Sequence, residues 1–147
     1  MSLTYGTTLY RTESLKKVIR WYTREFNKII EQDDSVNGVV STGSSGAIIA
    51  GLVVARAKRE MVHIHVGKRA GHNGKLSGIS SSDGNFVFVD DFIDSGASLR
   101  RCQTHLRPSK YIKYILCYGD FDTGASGRDY IAKLKRKGVV YKTKKSS

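Results

Sequence analysis

The sequence predicts an α/β fold: a doubly wound, mostly parallel sheet with helices on both faces, built as a single domain over residues 1–147. Three observations carry this. Helical and strand patterns alternate in the order αβαβ-loop-βαβαβ, and such alternation feeds parallel strands through crossover helices. The strongest strand, Phe86 to Val89, is a continuous apolar run, as expected of a strand covered on both faces. A chain of 147 residues is one domain by length and buries about 70% of its unfolded surface.

Each element has a local cause. Leu15, Val18, Ile19, Tyr22, Phe26, Ile29 and Ile30 recur at i, i+3, i+4, i+7, which predicts an amphipathic helix over residues 12–32. Thr12 fits its N-cap, Glu13 suits its first turn, and Asp33-Asp34 ends it. Val36 to Ser41 reads as a strand despite Gly38, and Thr42-Gly43-Ser44-Ser45-Gly46 as a turn. Ala47 to Glu60 reads as a second helix, apolar nearly all round and therefore buried, and Met61 to Val66 as a strand. On that strand His63 and His65 alternate with apolar residues and are expected to pack or face solvent, not to bind metal. Residues 67–84 hold five glycines, three successive serines and several cations without periodicity, so a long functional or mobile loop is expected. Beyond the strand at 86–90 come a helix from Gly96 to His105, Pro108 as punctuation, and a strand from Tyr111 to Tyr118. A helix over Ser126 to Lys137 turns Tyr130, Ile131 and Leu134 inward, and Val139 to Lys142 forms a short edge strand.

Composition narrows the class. Hydrophobic content of 39% fits a globular protein, and no apolar run approaches the ~20 residues of a membrane span. The N-terminal MSLTYGTTLYR has no apolar signal core, and Cys102 and Cys117 form no metal spacing, so a reducing cytoplasm is expected. Twenty-five basic residues against 13 acidic ones give a net charge of +12. Lys68, Arg69 and Lys75 lie in the Gly-rich segment, and Lys133, Lys135, Arg136, Lys137, Lys142, Lys144 and Lys145 crowd the C-terminus, whose last residues, 142–147, form a basic tail. Such a field suits phosphorylated small molecules or polyanions, nucleic acid included, and equally a solvated surface.

The chemistry concentrates in residues 86–98, FVFVDDFIDSGAS. A buried strand there ends in Asp90-Asp91, where open α/β sheets bind ligands. The turn Asp94-Ser95-Gly96-Ala97-Ser98 opens a helix, so backbone N–H groups and the helix dipole make an anion cradle. Two carboxylate acceptors beside that cradle suit a phosphorylated sugar with vicinal hydroxyls. A Walker B reading of the acids needs a P-loop, and GHNGKLS at 71–77 fails as one, because Arg69 stands where glycine is required.

FVFVDDFIDSGAS resembles the phosphoribosyl-pyrophosphate (PRPP) signature of type I phosphoribosyltransferases, with Ser95, Ala97 and Ser98 where threonine, glycine and threonine are commoner. The resemblance spans roughly residues 36–118. It implies a strand and turn for pyrophosphate, here Val39-Val40-Ser41-Thr42-Gly43 with Ser44, and a mobile loop at about 67–84. Carried over by position, Asp90 and Asp91 accept hydrogen bonds from the ribose hydroxyls or act on Mg²⁺ through water or those hydroxyls. Residues Asp94 to Ser98 wrap the 5-phosphate, and Asp94 also exchanges a proton with the base, a role compatible with capping the helix. The segment Lys68 to Lys75 resembles the catalytic loop of orotate-type members, which implies that Lys68, Arg69 and His72 neutralise the leaving group. One departure stands out: family members often carry Lys or Arg before the pyrophosphate glycine, and here Thr42 stands there, so the charge must come from elsewhere.

The implied activity is Mg²⁺-dependent transfer of ribose 5-phosphate from PRPP to a nucleobase, releasing pyrophosphate. The loop points to orotate, and Asp94 points secondarily to a 6-oxopurine. Only a minimal hood is available for the base, from residues 1–11 and from Tyr118 to Asp122, where Tyr118 or Phe121 can stack on a base or belong to the core. Homodimers are common in such enzymes. The alternative is a non-catalytic module that senses PRPP or a nucleotide and binds nucleic acid.

Overall fold

The computed structural model describes residues 12–67, 76–77, 84–91, 93, 96–106, 109–119 and 124–144. The chain runs through α1 (Thr12–Gln32), β1 (Val36–Thr42), α2 (Gly43–Ala55), β2 (Val62–Val66), β3 (Leu76–Ser77), β4 (Gly84–Asp90), α3 (Ala97–Leu106), β5 (Lys110–Cys117), α4 (Ala125–Arg136) and β6 (Val140–Thr143). The strands form one sheet in the order β3-β2-β1-β4-β5-β6. All neighbours pair in parallel except the two-residue β3, which lies antiparallel on β2. The doubly wound α/β architecture expected from the sequence is the one observed, with β6 at an edge.

Two separate cores explain why the strand runs are apolar on both faces. On one face, Val18, Tyr22, Phe26 and Ile29 of α1 and Ile49, Ala50 and Val53 of α2 pack against Val36, Val39, Val87, Val89 and Leu116. On the other, Leu99, Cys102 and Leu106 of α3 and Ile131 of α4 cover Val40, Ile64, Phe86, Phe88 and Ile115. Burying a side chain of this size contributes about 1.5–3 kcal/mol, so both helical layers are needed to keep the sheet covered. Cys102 and Cys117 are buried and form no disulfide. Gly38 is required where it stands, since a Cβ would lie 2.2 Å from the Val62 carbonyl oxygen. The register of β1 on β4 also slips between Val36 and Gly38, a local irregularity of the kind glycine permits.

The largest departure from the sequence-based expectation is α2. It begins at Gly43 rather than Ala47 and ends at Ala55 rather than Glu60. Glycine and serine gave no helical period at its start. At its end tertiary contacts take over: Asn27 of α1 accepts from Lys58 N–H at 2.9 Å, and the Arg59 guanidinium donates to the Val36 and Asp33 carbonyls at 3.0 Å each. Nor is α2 buried all round; Gly46, Ile49, Ala50 and Val53 form a single inward stripe, and Ile48 is 40% exposed. Among the described residues no helix is long and apolar enough to cross a membrane.

Candidate functional site

Strand order locates the site before any side chain is considered. From β1 the chain crosses to β2 on one side and returns to β4 on the other, so the order reverses between β1 and β4. In open α/β sheets the crevice outside the carboxyl ends at such a switch point holds the ligand. Here those ends are Ser41-Thr42 of β1, running into α2, and Asp90-Asp91 of β4, preceding α3.

The β4 end is anchored from both sides. Asp90 and Asp91 are half-buried, and Asp90 Oδ1 accepts from Asp91 N–H at 2.9 Å, which turns the backbone off the strand. The Asp91 carbonyl accepts from Gly119 N–H at 3.1 Å, tying this turn to the end of β5. Tyr22 of α1, fully buried, donates its hydroxyl hydrogen to the Asp90 carbonyl and accepts from Tyr118 N–H at 2.7 Å. One phenol thus clamps the carboxyl ends of β4 and β5, and burial raises its pKa well above the ordinary value. The sequence placed Tyr22 only in the core stripe; the signal available was that a buried tyrosine in an aliphatic stripe needs a partner for its hydroxyl. Past the acids, Gly96 has φ +87 and a Cβ there would lie 3.0 Å from the Tyr130 ring, so glycine alone fits. Ala97 and Ser98 form the first turn of α3, exposed and half-buried respectively.

The β1 end is neutral. Thr42 adopts an extended conformation with no side-chain cap to α2, and Gly43 follows at φ 74. Ser44 is exposed, and the first turn of α2 contains no acid. Gly46 brings the helix close to both strands: a Cβ there would meet the Val89 carbonyl at 3.4 Å and Asp90 Oδ1 at 3.8 Å. Ser41 is buried, and its Oγ lies 2.8 Å from His63 Nε2 and 3.0 Å from His65 Nδ1. A hydroxyl has one hydrogen, so one histidine accepts it and the other donates its ring N–H. Burial lowers both imidazole pKa values, with His65 adding to the effect on His63, which favours the uncharged form of each ring. The packing or surface roles expected of these histidines therefore become more particular, because together they fix Ser41.

The Thr42 hydroxyl donates to the Val66 carbonyl at 2.7 Å and accepts from Arg101 Nη2 at 3.2 Å. Arg101 belongs to α3, and nothing in the sequence pattern singled it out. Tyr118 is part of the core wall, its ring edge-on to Trp21 at 5.7 Å. Among the described residues no cluster of three or more metal-binding side chains occurs. The paired carboxylates nonetheless fit a hard divalent ion that draws its other oxygen ligands from substrate and water. Asp94, Ser95, Lys68, Arg69 and His72 lie outside the described residues, as do Phe121 and the N-terminal part of the expected hood.

Comparison with solved structures agrees with this geometry. The chain superposes on an orotate phosphoribosyltransferase from Aeropyrum pernix with a TM-score of 0.71 at 19% identity, covering 97% of this chain and 76% of that one. An orotate phosphoribosyltransferase of Mycobacterium tuberculosis H37Rv, solved in complex with PRPP, gives 0.68 at 15% identity, covering 96% and 78%. An adenine phosphoribosyltransferase from Saccharomyces cerevisiae gives 0.60 at 13% identity, covering 92% and 81%. No protein-family model matches the sequence, and no curated protein matches it. The fold is that of the type I phosphoribosyltransferases, which the signature at 86–98 led us to expect.

Proposed function

We propose that this protein is a phosphoribosyltransferase, transferring ribose 5-phosphate from PRPP to a nucleobase. A ring nitrogen of the base forms a bond to the anomeric carbon, the bond from that carbon to pyrophosphate breaks, and the base gives up its proton. The observation that carries the reading is that FVFVDDFIDSGAS ends at the switch point of a sheet with this fold. In this reading Asp90 and Asp91 accept hydrogen bonds from the ribose hydroxyls. Gly96, Ala97 and Ser98, with Asp94 and Ser95, wrap the 5-phosphate, and Asp94 takes the proton of the base. Ser41, Thr42, Gly43 and Ser44 form the pyrophosphate turn, and Lys68, Arg69 and His72 close over the leaving group. Asp90 and Asp91 would hold Mg²⁺ indirectly, through water or the ribose hydroxyls, and the ion would neutralise the charge of the departing pyrophosphate. Orotate is the preferred base, ahead of a 6-oxopurine.

The test is a PRPP titration with and without Mg²⁺, followed by pyrophosphate release with adenine, guanine, hypoxanthine, xanthine, uracil and orotate. Saturable PRPP binding and release with orotate are expected; no release with any base sinks the enzymatic reading. A second reading draws on the exposed Lys133, Lys135, Arg136 and Lys137 at the end of α4: a non-catalytic PRPP sensor that binds nucleic acid. It requires nucleic-acid affinity that falls steeply with salt and changes when PRPP is added.

A further inference from the structure

We propose that Arg101 is the phosphate-binding cation of the turn from β1 into α2, gripping the diphosphate end of the substrate from the neighbouring helix. This inference rests on the PRPP reading and deepens it. The turn Ser41-Thr42-Gly43-Ser44-Ser45-Gly46 has no charged side chain of its own. A diphosphate carries several negative charges, and the helix dipole offers only about half a charge to meet them. Arg101 brings a full charge to the spot. Its Nη2 donates to Thr42 Oγ1 at 3.2 Å, and because Thr42 spends its hydrogen on the Val66 carbonyl, the hydroxyl is locked as an acceptor towards the guanidinium.

Among the described residues, Thr42 is the hydrogen-bond partner of the guanidinium. Its Nε is buried with no hydrogen-bond partner, and no carboxylate pairs with it among the described residues. A guanidinium has five N–H donors in a planar fork suited to phosphate oxygens, so a held cation with donors to spare is built to take an anion. The neighbouring arginine shows that this placement is particular. Arg100 is exposed and lies over the Tyr130 ring at 4.3 Å, on the side of α4. Arg101, one residue on, reaches back across α3 to the end of β1. Arginine there takes over the charge that Thr42 lacks.

The experiment compares three probes on the full chain by calorimetry in the presence of Mg²⁺: PRPP, inorganic pyrophosphate and ribose 5-phosphate. Arg101→Met should weaken PRPP and pyrophosphate about tenfold to a hundredfold, the loss of one or two charge-assisted hydrogen bonds. Ribose 5-phosphate, which has no diphosphate, should change by less than about twofold, as expected for a site not coupled to the change. Arg101→Lys keeps the charge without the fork and should fall between, and it decides the matter if Arg101→Met does not fold. Arg100→Met should leave pyrophosphate affinity unaltered. Equal losses for all three probes would reduce Arg101 to a support for Thr42 and overturn the proposal, as would no loss at all. Should the unsubstituted chain bind neither PRPP nor pyrophosphate, the PRPP reading itself fails, which is a different result from a wild type that binds and a variant that binds equally.

Discussion

The turn from β1 into α2 and the turn from β4 into α3 leave adjacent parallel strands at the same end of the sheet, and both pass through a glycine of positive φ, Gly43 and Gly96. Beyond that they differ in every chemical respect. The β4 turn presents two carboxylates on a backbone pinned by Tyr22 and Gly119. The β1 turn has hydroxyls only, with those of Ser41 and Thr42 already engaged, and receives a cation from Arg101 of α3. Acceptors on one side and donors on the other suit a ligand with hydroxyls in its middle and phosphate at its ends. The difference teaches that the charge of such a turn need not be encoded next to its glycine.

The largest effect should come from removing the acceptors. Asp90→Asn and Asp91→Asn keep the size of the side chain and remove the charge, so each should weaken PRPP binding by about tenfold to a hundredfold, the value of a charge-assisted hydrogen bond. Isothermal titration measures it, and the thermal midpoint checks that the fold survives. If both substitutions leave PRPP affinity intact, the contrast between the two turns has no bearing on the sugar.

Next in size is the clamp that holds the acidic turn. Tyr22→Phe conserves volume, leaves the Tyr118 N–H without this buried acceptor and removes the phenol's hydrogen bond to the Asp90 carbonyl. Leaving such groups unsatisfied costs about 1–3 kcal/mol, which in a domain of this size lowers the melting midpoint by roughly 2–12 °C. The loss should appear in PRPP affinity as well, because the Asp90 backbone loses its anchor. A variant that melts lower yet binds PRPP unchanged would separate the clamp from the site.

How much of this was legible differs between the two turns for physical reasons. The β4 turn is written in consecutive residues: an apolar run, two acids and a glycine turn need only local rules to be read. The parallel sheet with helices on both faces followed from the alternation of elements, since such alternation leaves few ways to connect the strands. The β1 turn resisted. Gly43-Ser44-Ser45-Gly46 carries no apolar period, so the helix start was invisible, and β3, with two residues, was too short to announce itself. Strand alternation put His63 and His65 on a common face of β2 but did not say that Ser41 lay between them. Arg101 and Thr42 are 59 positions apart, and only the packing of α3 on β1 brings them together.

The smallest predicted effect isolates the β1 side. His63 and His65 titrate below the ordinary value of 6.5 because burial penalises the imidazolium, so the folded protein binds protons less readily at these rings than the unfolded chain does. Their contribution to stability is therefore present above that ordinary value and is lost as pH falls through it towards the depressed folded values. Asp33, at the opposite end of the strands, acts in a separate window. Its carboxylate accepts from Lys113 and Tyr114 at 2.7 Å each and from Ser35, which holds its pKa well below the usual carboxylate range. Its contribution is lost only at more acidic pH, below that range. Melting midpoints followed from about pH 7.5 to 5 should thus fall for the unsubstituted chain and fall less for a His63→Gln, His65→Gln double variant, whose side chains do not titrate there. Protonation adds a second donor to each ring and removes the acceptor for the Ser41 hydroxyl, so the fall tracks the loss of that arrangement. Parallel curves for the two proteins would place the histidines outside the stability of the β1 turn and shift its side-chain support towards Thr42 and Arg101.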